Sequence, residues 1–216
     1  MALTPQQISA ITSAISTERL GTFSAAKGFS PGATALEIYV WNALLSSAFF
    51  ASLHICEVTM RNGIAHALEL KYGANWPWHP GFERTLPDDR KRDIQQARRR
   101  LPVGATGKVI AGLTLHFWCG MFTARYDNHV WNSYLRAAFP DTPSPLTIVA
   151  ARTQLYTDME AVRTFRNRVA HHEPIFAYPL ADIRGRIARL VSMRSAQTAE
   201  WLARWEVVTS TLAAKP

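Results

Sequence analysis

Apolar side chains at Leu36, Val40, Leu44, Phe50, Leu53, Met60, Ile64 and Leu68 recur mostly at three- and four-residue steps. That period belongs to a helix, and over such a length it leaves little room for a sheet fold. The spacing predicts one long helix from Ala33 to Tyr72, kinked at Gly63 and ended by Gly73. Alternating runs bounded by turn dipeptides do not recur elsewhere, so strand signals are nearly absent.

The rest of the chain reads the same way. Thr4 followed by Pro5 is a cap with proline at the first helical position, opening a helix to about Leu20. The stretch GTFSAAKGFSPG supplies breakers, and NWPWHPGF is an aromatic, proline-rich loop. Pro87-Asp88-Asp89 starts the basic helix DDRKRDIQQARRRL, its acids in the first turn as the helix dipole prefers. KVIAGLTLHFWCGMF and HVWNSYLRAAF are apolar enough for core helices. After the punctuation FPDTPSPL comes a helix from Leu146 to His171, closed by Pro174, and then one or two more between Ala181 and Leu212. The expected class is an all-α helical bundle. It is expected as a single domain over 1–216: an N-terminal helix and loop at 1–30, a first half at 33–140 and a second half at 145–212.

Composition sets bounds. With 48% hydrophobic residues the chain can fold, and with only 19% charged residues part of its surface must be neutral or apolar, as an oligomer contact would be. A formal net charge of +8, mostly arginine, favours an anionic partner, nucleic acid above all. Cys56 and Cys119 lie in apolar helical stretches without a paired neighbour, as buried free thiols of a cytoplasmic protein do. The N-terminus lacks the basic region and apolar run of a signal peptide, and no stretch approaches 18 consecutive apolar residues, so no membrane partner is expected.

Two segments about half the chain apart match each other. Thr59-Met60-Arg61-Asn62-Gly63-Ile64-Ala65-His66 aligns with Thr164-Phe165-Arg166-Asn167-Arg168-Val169-Ala170-His171, sharing Thr, Arg, Asn, Ala and His. A single arginine followed five positions later by histidine is weak evidence, but two copies with three further identities carry more. These residue types suit cleavage of RNA by its own 2′-hydroxyl. Histidine serves as base or acid near neutrality. Arginine stays charged and grips phosphate oxygens in a fork. Asparagine orients the phosphate or the imidazole.

Spacing refines the reading. Asn167 and His171 are helical neighbours four apart, whereas Arg166 and His171 lie about 140° apart around the axis. Arg166 continues the apolar stripe Leu155, Met159, Val162 and Val169, and no acid stands a turn away to pair it. It should therefore point into a cleft or a subunit junction. In the first copy Glu57 stands four residues before Arg61, and that spacing reads as a structural ion pair. His66 reads as a satisfied polar residue of the long helix.

The string RNRVAHHEPIF resembles the Abi-like family of abortive-infection proteins, built on the HEPN domain, whose signature is arginine, a polar residue, a few positions and histidine. ICEVTMRNGIAHALELKYGANW is similar to the family's first glutamate-arginine-asparagine helix, and KVIAGLTLHFWCGMF to its central leucine-phenylalanine-tryptophan helix. The resemblance covers residues 33 to 205. It implies a metal-independent endoribonuclease in phage defence or a toxin. It further implies no cofactor, a homodimer with the two motifs at its interface, and an antitoxin protein or RNA as a further partner. The catalytic set would be Arg166, Asn167 and His171, with Glu57, Arg61, Asn62, His66, His172 and Glu173 as a second or supporting set. Some HEPN proteins bind without cutting, so a non-catalytic RNA- or partner-binding module is the alternative.

Metal ligation by His171, His172 and Glu173 is disfavoured, because adjacent ligands at a helix end point apart. His172 and Glu173 fit solvated or supporting positions, with Glu173 placed to orient an imidazole. Arg90, Lys91, Arg92, Arg98, Arg99 and Arg100 form either a solvated face or an RNA backbone track. Trp76 and Trp78 either pack or stack on bases.

Overall fold

The computed structural model describes residues 3–216; Met1 and Ala2, with which the reading of the N-terminus begins, lie outside them. The protein is an all-α helical bundle, 74% helical with about twelve helices and no strand among the described residues. In chain order these are α1 (Pro5–Ile15), α2 (Thr17–Ser24), α3 (Ala35–Tyr72), α4 (Pro80–Thr85), α5 (Asp88–Arg98), α6 (Thr106–Gly112), α7 (Leu115–Gly120), α8 (Asn132–Ala138), α9 (Ile148–Ala170), α10 (Leu180–Arg194), α11 (Ala196–Trp205) and α12 (Val208–Ala213).

Local chemistry sets several of these boundaries. Thr4 caps α1 in a capping box with Gln7, as the Thr-Pro start predicts. The single helix expected to Leu20 breaks at Ser16, whose φ of 86° ends α1 while its hydroxyl accepts from the Arg19 amide to start α2. Gly73 ends α3 at a φ of 83°, a left-handed conformation that a β-carbon disfavours. The aromatic loop is more structured than expected. Trp76–Trp78 forms a 3-10 turn, and His79 caps α4 by accepting from the Gly81 amide. The C-terminal region holds three helices where one or two were expected.

The chain divides into two compact units that cut across the two sequence halves. The first comprises the described chain up to Ala51 with Arg168–Tyr178 and Glu206–Pro216. Its core gathers Leu20, Phe23, Ile38, Trp41, Leu45, Phe49, Ile175 and Val208. The Phe23 ring meets Tyr39 edge-on at 5.0 Å and Phe176 at 5.6 Å, and the Trp41 indole N–H donates to the Thr211 carbonyl at 2.8 Å. The second unit comprises Ser52–Asn167 and Pro179–Trp205. Met60, Ile64, Leu68, Ile94, Val109, Leu155, Phe165 and Leu190 fill its core. Beside them Phe122 stacks on Trp131 at 4.7 Å, and Trp76 meets Trp118 edge-on at 6.2 Å.

The long helix differs from its sequence reading in three ways. Val40, Leu44 and Phe50, read as stripe residues, are 56%, 58% and 63% exposed, while Ile38, Trp41, Leu45 and Phe49 are buried. This part of α3 is apolar on all sides, so its period alone did not select the inner face. Gly63 interrupts nothing: α3 is continuous through it. Finally, α3 is long and apolar enough to cross a bilayer by length and composition, although it contains no run of 18 consecutive apolar residues; 39% of that stretch is buried.

Cys56 and Cys119 are buried free thiols, as the apolar surroundings predict.

Candidate functional site

The boundary between the two units falls inside the second motif copy, after Asn167, so each part is described within its own unit.

In the second unit, Arg166 projects from α9 with its side chain 42% exposed. The expected stripe on α9 is present: Leu155, Met159, Val162 and Val169 are all buried. Arg166 is not left without a carboxylate, because Glu57 of α3 lies 3.5 Å from its Nε. The expected Glu57–Arg61 pair within α3 is therefore replaced by a pairing between helices. Arg61 is half-buried and its Nε is buried without a hydrogen-bond partner; in the same copy His66 leaves its Nδ1 equally orphaned and Asn62 is exposed. His66 is thus not the satisfied polar residue expected, and such orphaned groups carry a desolvation cost.

Comparison along α9 shows why Arg166 stands apart. Arg163 is held by Glu160 at 2.7 Å and Arg168 by Glu173 at 3.0 Å, with side chains 25% and 34% exposed. Arg166 is more exposed than either, and its contact, at 3.5 Å, is too long for a strong hydrogen bond. Its terminal N–H groups remain available to an anion. Beside it Cys56 lines a small apolar crevice with Met60, Met159 and Leu190. Burial, reinforced by the Glu57 charge, pushes the Cys56 thiol up to about 12, so no thiolate forms near neutrality. Asn167 is half-buried.

In the first unit, the chain leaves α9 at His171, which is exposed. No hydrogen bond or ion pair engages its imidazole among the described residues. The turn after it is fixed from several sides. His172 adopts a φ of 57°, and its carbonyl accepts from the Arg19 guanidinium. The Ile175 amide donates to the Asn42 side chain at 2.8 Å, and Asn42 is itself buried. Glu173 does not face an imidazole; it pairs with Arg168, which also donates to the Pro174 carbonyl and lies 5.1 Å over the Tyr178 ring. Asn42 escaped sequence reasoning because its partner stands more than a hundred residues away and no local pattern marks it.

The basic segment changes most. Arg90 is 8% exposed, bonded to His116 at 2.9 Å and paired with Asp89 and Asp93. Lys91 pairs with Asp88, and Arg98 pairs with Glu83 at 2.7 Å while donating to the Pro77 carbonyl. Only Arg92, Arg99 and Arg100 of the six remain as an exposed positive group. Trp76 is buried and its ring packs on Phe82 and Trp118, which makes it a packing residue; Trp78 is half-buried. No group of three or more His, Cys, Asp or Glu converges to hold a metal ion among the described residues.

Comparison with known proteins returns no matching family model, curated protein or solved structure.

Proposed function

We propose that this chain is a HEPN-type endoribonuclease of the Abi-like kind, acting in phage defence or as a toxin, and that Arg166, Asn167 and His171 act on one RNA phosphodiester. The observation that carries the reading is chemical. Within five residues the chain keeps an accessible guanidinium with only a loose carboxylate contact and an exposed imidazole with no partner. Both groups are free to meet an anionic substrate, and a purely structural arginine or histidine would be more fully engaged.

In the proposed reaction the 2′-oxygen attacks phosphorus and the bond to the 5′-oxygen breaks. One imidazole takes the 2′-hydroxyl proton, and a second donates a proton to the departing 5′-oxygen. Arg166 neutralises charge on the phosphoryl oxygens as it builds. The products are a 2′,3′-cyclic phosphate and a 5′-hydroxyl, and the residues themselves supply all the acid–base chemistry. A second copy of the chain provides the second His171. The exposed Val40, Leu44 and Phe50 of α3 offer apolar surface for such an assembly.

The test is cleavage of single-stranded RNA by the purified chain in EDTA, with end-group analysis of the products. His171→Ala should lower the rate by about 10²–10⁴-fold while RNA binding persists. Unchanged cutting, or 5′-phosphate ends, overturns the proposal. The Glu57 contact to Arg166 favours the alternative, a non-catalytic module that binds RNA, an antitoxin or another partner. In that case His171→Ala leaves every measured behaviour as it was.

A further inference from the structure

A second basic site lies in the Ser52–Asn167 part of the chain, and none of the residues of the proposed nuclease site lines it. Lys71, Tyr72, Arg84, Thr85, Arg125 and His129 surround a concavity of about 650 Å³. Four separate segments contribute: the last turn of α3, the end of α4, the 3-10 turn Ala124–Tyr126 and the π-helical turn Asp127–Trp131.

Three fixed positive charges share this space and no carboxylate lines it. Glu83 is engaged with Arg98 and Gln95 and Asp127 with Arg152 at 2.9 Å, and Glu69, two residues before Lys71, does not line the concavity. The simplest structural explanation is that Lys71 and Arg84 serve the negative ends of α3 and α4, in whose last turns they stand. That does not account for Arg125, which stands in a 3-10 turn of only three residues, too short to carry an appreciable dipole. Nor does it account for the way two of the cations are held. Lys71 donates to the His129 carbonyl, and Arg125 Nε donates to the Thr85 carbonyl at 2.8 Å. Each bond fixes a cationic head against backbone and leaves its other donors free. Arg84 is exposed and takes part in no hydrogen bond or ion pair among the described residues.

Like charges gathered at a fixed concavity repel unless an anion joins them. Two guanidiniums and an ammonium with free donors complement the negative charge and the acceptor oxygens of a phosphate group. Tyr72 lines the same space, and its phenol, protonated near neutrality like any tyrosine's, is a further hydrogen-bonding group. The volume exceeds what a bare phosphate fills and falls within the range of small-ligand sites, about 300–1,000 Å³. We propose that this pocket binds the phosphate group of a phosphate ester, held by Lys71, Arg84 and Arg125. The inference is independent of the nuclease reading.

The ester has two sources, a small phosphorylated molecule or an RNA backbone, and calorimetric titration of the full chain separates them. The probes are inorganic phosphate, adenosine 5′-monophosphate and a short single-stranded RNA. Arg84→Ala should weaken binding roughly tenfold, the worth of one charge-assisted contact, without changing the circular dichroism spectrum or Tm. Lys71→Ala with Arg84→Ala should weaken it further. Lys108→Ala removes a comparable exposed charge outside the pocket and should leave affinity unchanged. Arg84-sensitive binding of phosphate or the mononucleotide assigns a small-molecule ligand. Arg84-sensitive binding of RNA alone, with the salt slope reduced by about 0.7 per lost contact, assigns a backbone phosphate. Binding by none of the probes, or equal losses from Arg84→Ala and Lys108→Ala, overturns the proposal.

Discussion

Replacing Gly63 by alanine sets two opposed effects against each other, and the structure decides between them. In a helix interior the change gains about 1 kcal/mol of helix propensity. Gly63, however, lies under Phe139: an added β-carbon would stand 2.8 Å from the ring's Cζ, 3.0 Å from Cε1 and 3.3 Å from Arg194 Cδ. The ring has little freedom to move. Phe139 is fully buried, tilted against Phe122 at 5.6 Å and Trp131 at 6.3 Å, and the Arg194 guanidinium donates to the Ala138 carbonyl. Forcing a methyl group into such a core costs about 1–3 kcal/mol, and contact this close belongs to the upper part of that range. The net effect of Gly63→Ala should be destabilisation by about 1–2 kcal/mol, a Tm lower by about 2–8 °C in a chain of this size. Gly185 in α10 is the control, because a β-carbon there meets nothing within 4 Å. Gly185→Ala should stabilise by about 0.5–1 kcal/mol. Paired thermal or urea unfolding measures both. A Gly63→Ala protein at or above the wild-type Tm, with Gly185→Ala raised as expected, would refute the packing argument.

Two further outcomes concern ion pairs of the second unit. Asp158 is fully buried and accepts from Arg186, from Arg189 twice and from Gln154. Asp158→Asn should destabilise by about 2–4 kcal/mol, less than for a wholly buried pair because both arginines keep contact with water; an unchanged urea midpoint would count against this. Glu83 is held below the usual carboxylate range, first by the Gln95 hydrogen bond and, against the opposing effect of burial, by Arg98. A depressed folded-state value means its contribution is present above the unfolded-state value of about 4.3 and is lost as pH falls through the lower folded one. The stability gap between wild type and Glu83→Gln should therefore be constant near neutrality and shrink below about pH 4; a gap that widens on acidification contradicts the assignment.

Helix class and several element ends were legible in the amino-acid string because they depend on neighbours within a turn. Thr4 with Gln7, Gly73 after Tyr72 and the acids opening α5 are contacts or conformations that a few adjacent residues settle. The α9 stripe was legible for the same reason, since polar residues alternate with apolar ones there and define a face. The candidate motif was visible as a repeated pattern, but its electrostatics were not. Glu57 has Arg61 one turn away in α3, and only the packing of α3 against α9 gives it Arg166 instead. Tertiary structure also turned Val40, Leu44 and Phe50 outward, placed the Phe139 ring against Gly63 and withdrew Arg90 and Arg98 from the basic face. It alone gathered Lys71, Arg84, Arg125 and His129 around one concavity. Local pattern specifies how each segment coils; which charges meet depends on distances through space that no spacing along the chain encodes.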